Sequence, residues 1–145
     1  MRVENVQVDE FIELVSNVRF QEDDILEAKD YGFNSVLEAY QNAEHAWARY
    51  WVVYDGDKVI TLILEERDGN LVYFTTTDLP NSSSRTYVKL MRTLVDNVTE
   101  CREVVFVRTA RWHKKAIALN RIVGFREMTI SNHYSIWVYE YGKQK

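Results

Sequence analysis

The sequence predicts an α/β (α+β) chain, a mixed, mostly antiparallel central sheet of about six or seven strands with helices on both faces. Three observations lead there. Runs of helical and of strand periodicity follow one another along the chain with little between them. Two strong hairpin turns join three successive β-rich runs into an antiparallel meander. A strand–helix–strand–helix unit ending at Gly124-Phe125 then supplies crossovers, whose strands run parallel, so the sheet must be mixed.

Taken in order, Arg2 to Val6 reads as a short strand. Asp9 suits the cap of a helix whose apolar residues Phe11, Leu14, Val15 and Val18 recur at helical spacing. A second helix, from about Glu22 to Asp30, is broken at Tyr31-Gly32, where glycine takes a left-handed cap. Asn34 suits the start of a third, with Val36, Tyr40, Ala43 and Trp47 on one stripe. Tyr50 to Tyr54 and Val59 to Glu65 are strands joined by Asp55-Gly56-Asp57-Lys58, and Asp68-Gly69-Asn70 turns the chain into Leu71 to Thr77. A polar loop, Pro80 to Ser84, leads into a helix with Tyr87, Leu90, Met91, Leu94, Val95 and Val98 on one face. Glu103 to Thr109 reads as a buried strand, and Trp112 to Val123 as a helix with Trp112, Ala116, Leu119 and Val123 inward. Strands around Phe125 to Ser131 and Tyr134 to Glu140 close the chain.

Composition narrows the function classes. The 145 residues are 46% hydrophobic and 13% aromatic, enough for a packed core, and no linker, repeat or low-complexity tract divides them. A net charge of -4 excludes a basic nucleic-acid footprint as a bulk property. The single cysteine, Cys101, cannot form an internal disulfide and reads as a small buried hydrophobe. No apolar run approaches the ~20 residues of a bilayer span. The N-terminus has no apolar signal core, so cytoplasmic synthesis is expected. The histidines His45, His113 and His133 are far apart, and nothing has metal-ligand spacing.

The segment His113-Lys-Lys-Ala116-Ile-Ala-Leu119-Asn120-Arg-Ile-Val-Gly124-Phe125 resembles the last-helix motif of the GNAT superfamily of N-acyltransferases, Asn-x-x-Ala-x-x-x-Tyr-x-x-x-Gly-Phe. Ala116, Gly124 and Phe125 match; His113 stands at the Asn position and Asn120 at the Tyr position. The element order also resembles that family, which implies one GNAT-like domain over residues 1 to 145, ordered from about 2 to 141. Asp24-Ile25-Leu26-Glu27-Ala28-Lys29 with Gly32, and Tyr73-Phe74-Thr75-Thr76-Thr77-Asp78, resemble GNAT-like internal virion proteins of short-tailed lytic phages. That likeness implies synthesis in host cytoplasm, a place in the virion, and other virion proteins or a host protein as partners.

The resemblance also implies acetyl-CoA as a cofactor, and three chemical needs can be set against the residues. The pyrophosphate cradle would fall on Ser82, Ser83, Ser84 and Arg85, at a helix start where N–H groups favour anions. No glycine lies between Gly69 and Gly124, so a tight phosphate nest is strained there, and a capped helix start explains the serines as well. The proton donor to the departing thiolate would fall at Asn120, whose amide is a poor acid; His113 could take the part, with Tyr87 and Tyr134 as alternatives. The base for an incoming amine would fall at a strand end, with Glu65, Glu66 and especially Asp78 in position, Asp78 closing the strand beside which a GNAT sheet splays to admit pantetheine. The basic run Arg108 to Lys115 reads as a solvated helix start that could also touch phosphates. Two readings follow: a non-catalytic, virion-associated GNAT-fold component, or a working acetyl-CoA-dependent N-acetyltransferase with a modified phosphate loop. A host-directed inhibitor is a third, with no motif behind it.

Overall fold

The computed structural model describes residues 1–78, 84–100 and 104–140. Its element order is β1 (Arg2–Val6), α1 (Val8–Asn17), α2 (Glu22–Asp30), α3 (Val36–Ala43), β2 (Arg49–Asp55), β3 (Lys58–Glu65) and β4 (Leu71–Thr75). There follow α4 (Ser84–Thr99), β5 (Val104–Ala110), α5 (Lys114–Val123), β6 (Arg126–Ile130) and β7 (Tyr134–Glu140). Cys101, Ser82 and Ser83 lie outside the described residues.

The expected sheet is present, but it is split. β1-β2-β3-β4 form one antiparallel sheet, and β5-β7-β6 form another. A single parallel bridge, Asn70 to Phe106, joins them, with the Phe106 N–H donating to the Gly69 carbonyl at 3.0 Å. β4 and β5 are therefore parallel, as a crossover requires, but meet only at their N-terminal ends. Beyond that bridge they diverge into a splay.

Two cores flank the four-stranded sheet. Alternation places Val52, Leu62, Leu64 and Phe74 on one face, against Phe11, Val15, Ala28, Val36 and Tyr40 of α1, α2 and α3. The other register, Val53, Ile60, Ile63 and Leu71, packs on Met91, Leu94, Val95 and Val98 of α4. That second core runs on through Val105, Val107, Trp137 and Tyr139 to Val123 and Phe125. The opposite face of the three-stranded sheet carries Phe106, paired with Val138, and Arg108, paired with Ile136, and none of these four joins either core. Its edge strand β6 is exposed throughout, Met128 and Ile130 included.

Local departures from the expected boundaries have local causes. Asp9 lies inside α1, because Gln7 occupies the cap position, without a side-chain bond. Ser35 rather than Asn34 caps α3: its hydroxyl accepts from Glu38 N–H, and the Glu38 carboxylate accepts from Asn34 N–H, one residue before the cap. α3 then ends at Ala43, which leaves Trp47 in a turn and 69% exposed, with Arg67 over its ring. Trp112 also stays out of the core, because α5 begins only after His113. Trp137 is buried.

The end of α5 follows its sequence closely. Gly124 has φ 120°, and its N–H and that of Phe125 both donate to the Asn120 carbonyl, turning Phe125 onto Tyr139 at 5.4 Å between ring centroids. An L side chain is strained at that φ. Gly124→Ala should therefore lower unfolding free energy by about 1 kcal/mol or more. A urea titration of both proteins checks this.

Candidate functional site

The open end of the splay is where the site forms. The chain entering α2 runs along the end of β4. Phe20 bridges Thr76, Gln21 N–H donates to the Thr75 carbonyl at 3.0 Å, and Thr77 N–H donates to the Arg19 carbonyl at 2.8 Å. This pins the first turn of α2 over the gap. Asp24 and Glu27, three residues apart on one helical face, then point to different strands. Asp24 Oδ2 accepts from Thr75 N–H of β4 at 2.6 Å, and Glu27 Oε1 accepts from Ala110 N–H of β5 at 2.7 Å. One helix therefore bonds both sides of the splay.

His113 completes this junction from the start of α5. Its Nδ1 accepts from Ala116 N–H at 3.3 Å, which caps α5, so in the neutral ring Nε2 carries the proton and donates to Asp24 Oδ1 at 2.6 Å. Trp112 stacks on the imidazole, 5.5 Å between centroids with an interplanar angle of 5°, and its indole N–H reaches Asp30. Asp24, Glu27 and His113 are all buried. Burial works against the charged imidazole, but the hydrogen bond to Asp24 and the nearby Glu27 carboxylate outweigh it and raise the His113 pKa. Burial is the main cause that raises Glu27, above the lowering effects of the Ala110 N–H and His113.

A second bridge crosses on the opposite face of the sheet. The Tyr73 hydroxyl of β4 donates to Asn120 Oδ1 at 2.9 Å, and Asn120 Nδ2 donates to Thr109 Oγ1 of β5 at 2.9 Å. Asn120 and Thr109 are buried, and burial holds the Tyr73 phenol well above its ordinary pKa. Between the two bridges little room is left. A cavity of about 100 Å³ lies on the α2–α3 side, and one of about 20 Å³ lies against α4 and α5. Small-molecule sites are usually clefts of roughly 300 Å³ or more. Both cavities are smaller than that.

The other candidates disperse, Tyr87 excepted. Asp78 is exposed past the end of β4, its N–H donating to Thr76 Oγ1, and it does not join the junction. Ser84 and Arg85 are exposed in the first turn of α4. Glu65 is buried and accepts from Arg49 at 2.6 Å and from the Trp51 indole at 3.1 Å, an ion pair inside the sheet. Glu66 accepts from Asn70 Nδ2 at 2.7 Å, within the turn. The Tyr87 hydroxyl shares a 2.7 Å hydrogen bond with Thr61, and Tyr134 packs on Tyr31 beside Arg108. Of the nine candidates among the described residues, the structure brings His113 and Asn120 to the splay, one to each bridge, and sets the Tyr87 hydroxyl beside it, near Asp24 and Tyr73. Their partners Asp24, Glu27, Tyr73 and Thr109 were not legible as a group. A faint signal existed in the acidic pair Asp24 and Glu27, set among the apolar residues Ile25 and Ala28 of a short helix.

Comparison with solved structures returns N-acetyltransferases. A chimeric spermidine N-acetyltransferase from Vibrio cholerae aligns with TM-score 0.66 at 15% identity, covering 99% of this chain and 98% of that one. An N-acetyltransferase from Staphylococcus aureus aligns with TM-score 0.59 at 12% identity, over 96% of each chain. A Bacillus subtilis acetyltransferase in complex with CoA aligns with TM-score 0.57 at 10% identity, over 96% of this chain and 97% of that one. At these identities the likeness shows the fold, which is the GNAT fold. No protein-family model and no curated protein matches the chain.

Two outcomes test the junction. Replacing Asn120 by Leu should cost about 2 kcal/mol, because Tyr73 and Thr109 lose partners in a buried site; thermal unfolding measures it. Glu27 and His113 both hold protons more tightly folded than unfolded. Each therefore contributes stability at low pH, which fades as pH rises above the ordinary values of 4.5 and 6.5. The urea midpoint should fall from about pH 5 to about pH 8, and His113→Asn should flatten the upper part of that decline.

Proposed function

We propose that this GNAT-fold chain is a non-catalytic component of a phage particle, which uses its domain as a docking module. One observation carries the non-catalytic part. The splay between β4 and β5 is bridged on both faces by the chain's own side chains, Asp24 and Glu27 on one and Tyr73, Asn120 and Thr109 on the other. The residues at the two chemical positions of the last-helix motif are spent on those bridges. His113 caps α5 and holds Asp24, and Asn120 ties Tyr73 to Thr109.

The docking part draws support from the three-stranded sheet. Phe106, Ile136 and Val138 sit on a face that belongs to neither core, beside an edge strand with Met128 at 54% and Ile130 at 57% exposure. Such an apolar edge is a surface that other proteins can cover. The virion assignment, with other virion proteins as partners, rests on the resemblance of residues 24–32 and 73–78 to internal virion proteins of phages.

An active N-acetyltransferase is the second reading, favoured by the fold it shares with the CoA-bound Bacillus subtilis enzyme and by the exposed Ser84 and Arg85 at the start of α4. Bound there, acetyl-CoA would present an activated acyl group. This chain's part would be to hold the pyrophosphate at Ser84 and Arg85, and α2 would have to leave the splay first.

Calorimetric titration with acetyl-CoA separates the two. The non-catalytic reading predicts no binding tighter than about 100 μM, a free energy near -5.5 kcal/mol. Tighter binding that Arg85→Ala weakens at least tenfold would establish the second reading instead. Mass spectrometry of purified particles tests the location: the protein should be present, and its absence would defeat the virion assignment.

A further inference from the structure

The attachment of α2 differs in kind from that of its neighbours. α1 buries Phe11 and Val15, and α3 buries Val36, Ala39, Tyr40 and Ala43. Among the residues of α2, the buried ones are Asp24, Glu27 and Ala28, while Ile25 is partly buried and Leu26 is 45% exposed. A helix with one buried alanine gains little from apolar burial. Beyond the main-chain bonds of residues 19–21 to the end of β4, its hold on the sheets comes from two carboxylates, each accepting a main-chain N–H from a different strand.

Those carboxylates are one helical turn apart in a buried site, where like charges repel strongly. The groups facing them can be named by element. On α2 itself is Asp23, also acidic, and at its C-cap Tyr31, whose hydroxyl donates to Glu27 Oε1 at 3.4 Å. At the start of α5 is His113. β5 contributes Arg108, with its guanidinium 4.0 Å from the Tyr31 ring centroid. Tyr40 of α3, Tyr73 of β4 and Tyr87 of α4 are phenols whose pKa values burial raises, so they stay neutral. Thus His113 is the cation in direct contact, and Arg108 stands behind Tyr31.

We propose that α2 is a proton-held latch across the splay, bonded to both strands while the junction keeps its protons and lifting from them as those protons leave. With a proton on Glu27 or a second one on His113, the pair carries at most one uncompensated negative charge. With both protons gone, Asp24 and Glu27 are two buried anions facing Asp23, and the apolar contacts of α2 are too few to hold it against them. Release frees the N–H groups of Thr75 and Ala110 and joins the cavity under α2 to solvent. The latch concerns the same splay as the proposed function but stands whether or not the splay ever takes an acyl carrier.

Hydrogen exchange of the full chain, read amide by amide and corrected for base catalysis, tests it. Protection at Thr75 and Ala110 should fall together by at least tenfold between about pH 6 and about pH 9, while the amides of the β2–β3 ladder change far less. Glu27→Gln keeps an acceptor for Ala110 without the charge, and should hold both amides protected at the higher pH. Emission from Trp112, taken as the difference between wild type and Trp112→Phe, gives a second reading that leaves Asp24, Glu27 and His113 unchanged. It should change over the same pH range, since the imidazole stacked on it loses its proton. Constant protection at Thr75 and Ala110, or a decline that Glu27→Gln leaves untouched, would overturn the proposal. So would Trp112 emission that stays flat while the whole molecule remains folded.

Discussion

Two parallel strands that pair at one end and part at the other leave main-chain donors without a ladder, and the structure around residues 75 and 110 depends on how those donors are met. A buried N–H without a partner costs about 1–3 kcal/mol. Here the acceptors are carboxylates from α2, which must lie across the gap to reach both strands. Its approach is set by the short antiparallel contact of Phe20 with Thr76. The position of α5 is tied to the same requirement, since His113 caps that helix with one nitrogen and holds Asp24 with the other. Local capping and long-range closure are therefore one piece of chemistry.

This constraint also bears on function. The solved N-acetyltransferases share the fold over nearly the whole chain, yet fold similarity leaves the site open. In this molecule the polar side chains at the splay are bonded to one another and to the backbone. The Tyr73–Asn120–Thr109 bridge serves on one face as the carboxylates do on the other. The same groups have the shifted proton affinities that often mark catalytic sites. Their causes here are burial and mutual hydrogen bonding, which a structural junction produces equally well.

Much of the fold was legible because it is written in local patterns. The two hairpin turns, the apolar stripe of α4 and the left-handed Gly124 each state their structure within a few residues. The division into two sheets was less legible, because it depends on where β4 and β5 stop pairing. Trp47 and Trp112 fit an apolar period that runs past the true ends of α3 and α5: α3 stops at Ala43, four residues before Trp47, and His113 caps the start of α5 just after Trp112. At the site, His113 and Asn120 could be picked out by their place in a motif, but their roles could not. Asp24 lies 51 residues from Thr75, and Glu27 lies 83 from Ala110. Nothing in a local window links them.

The central claim is that α2 closes the splay through two carboxylate-to-backbone hydrogen bonds. Scalar coupling across hydrogen bonds, measured by long-range NMR correlation from amide nitrogen to carbonyl or carboxyl carbon, reads them directly. A correlation is expected from Thr75 N–H to the Asp24 carboxyl carbon and another from Ala110 N–H to the Glu27 carboxyl carbon. Amides at both positions that show no such correlation and exchange with water as freely as exposed loop amides would contradict it.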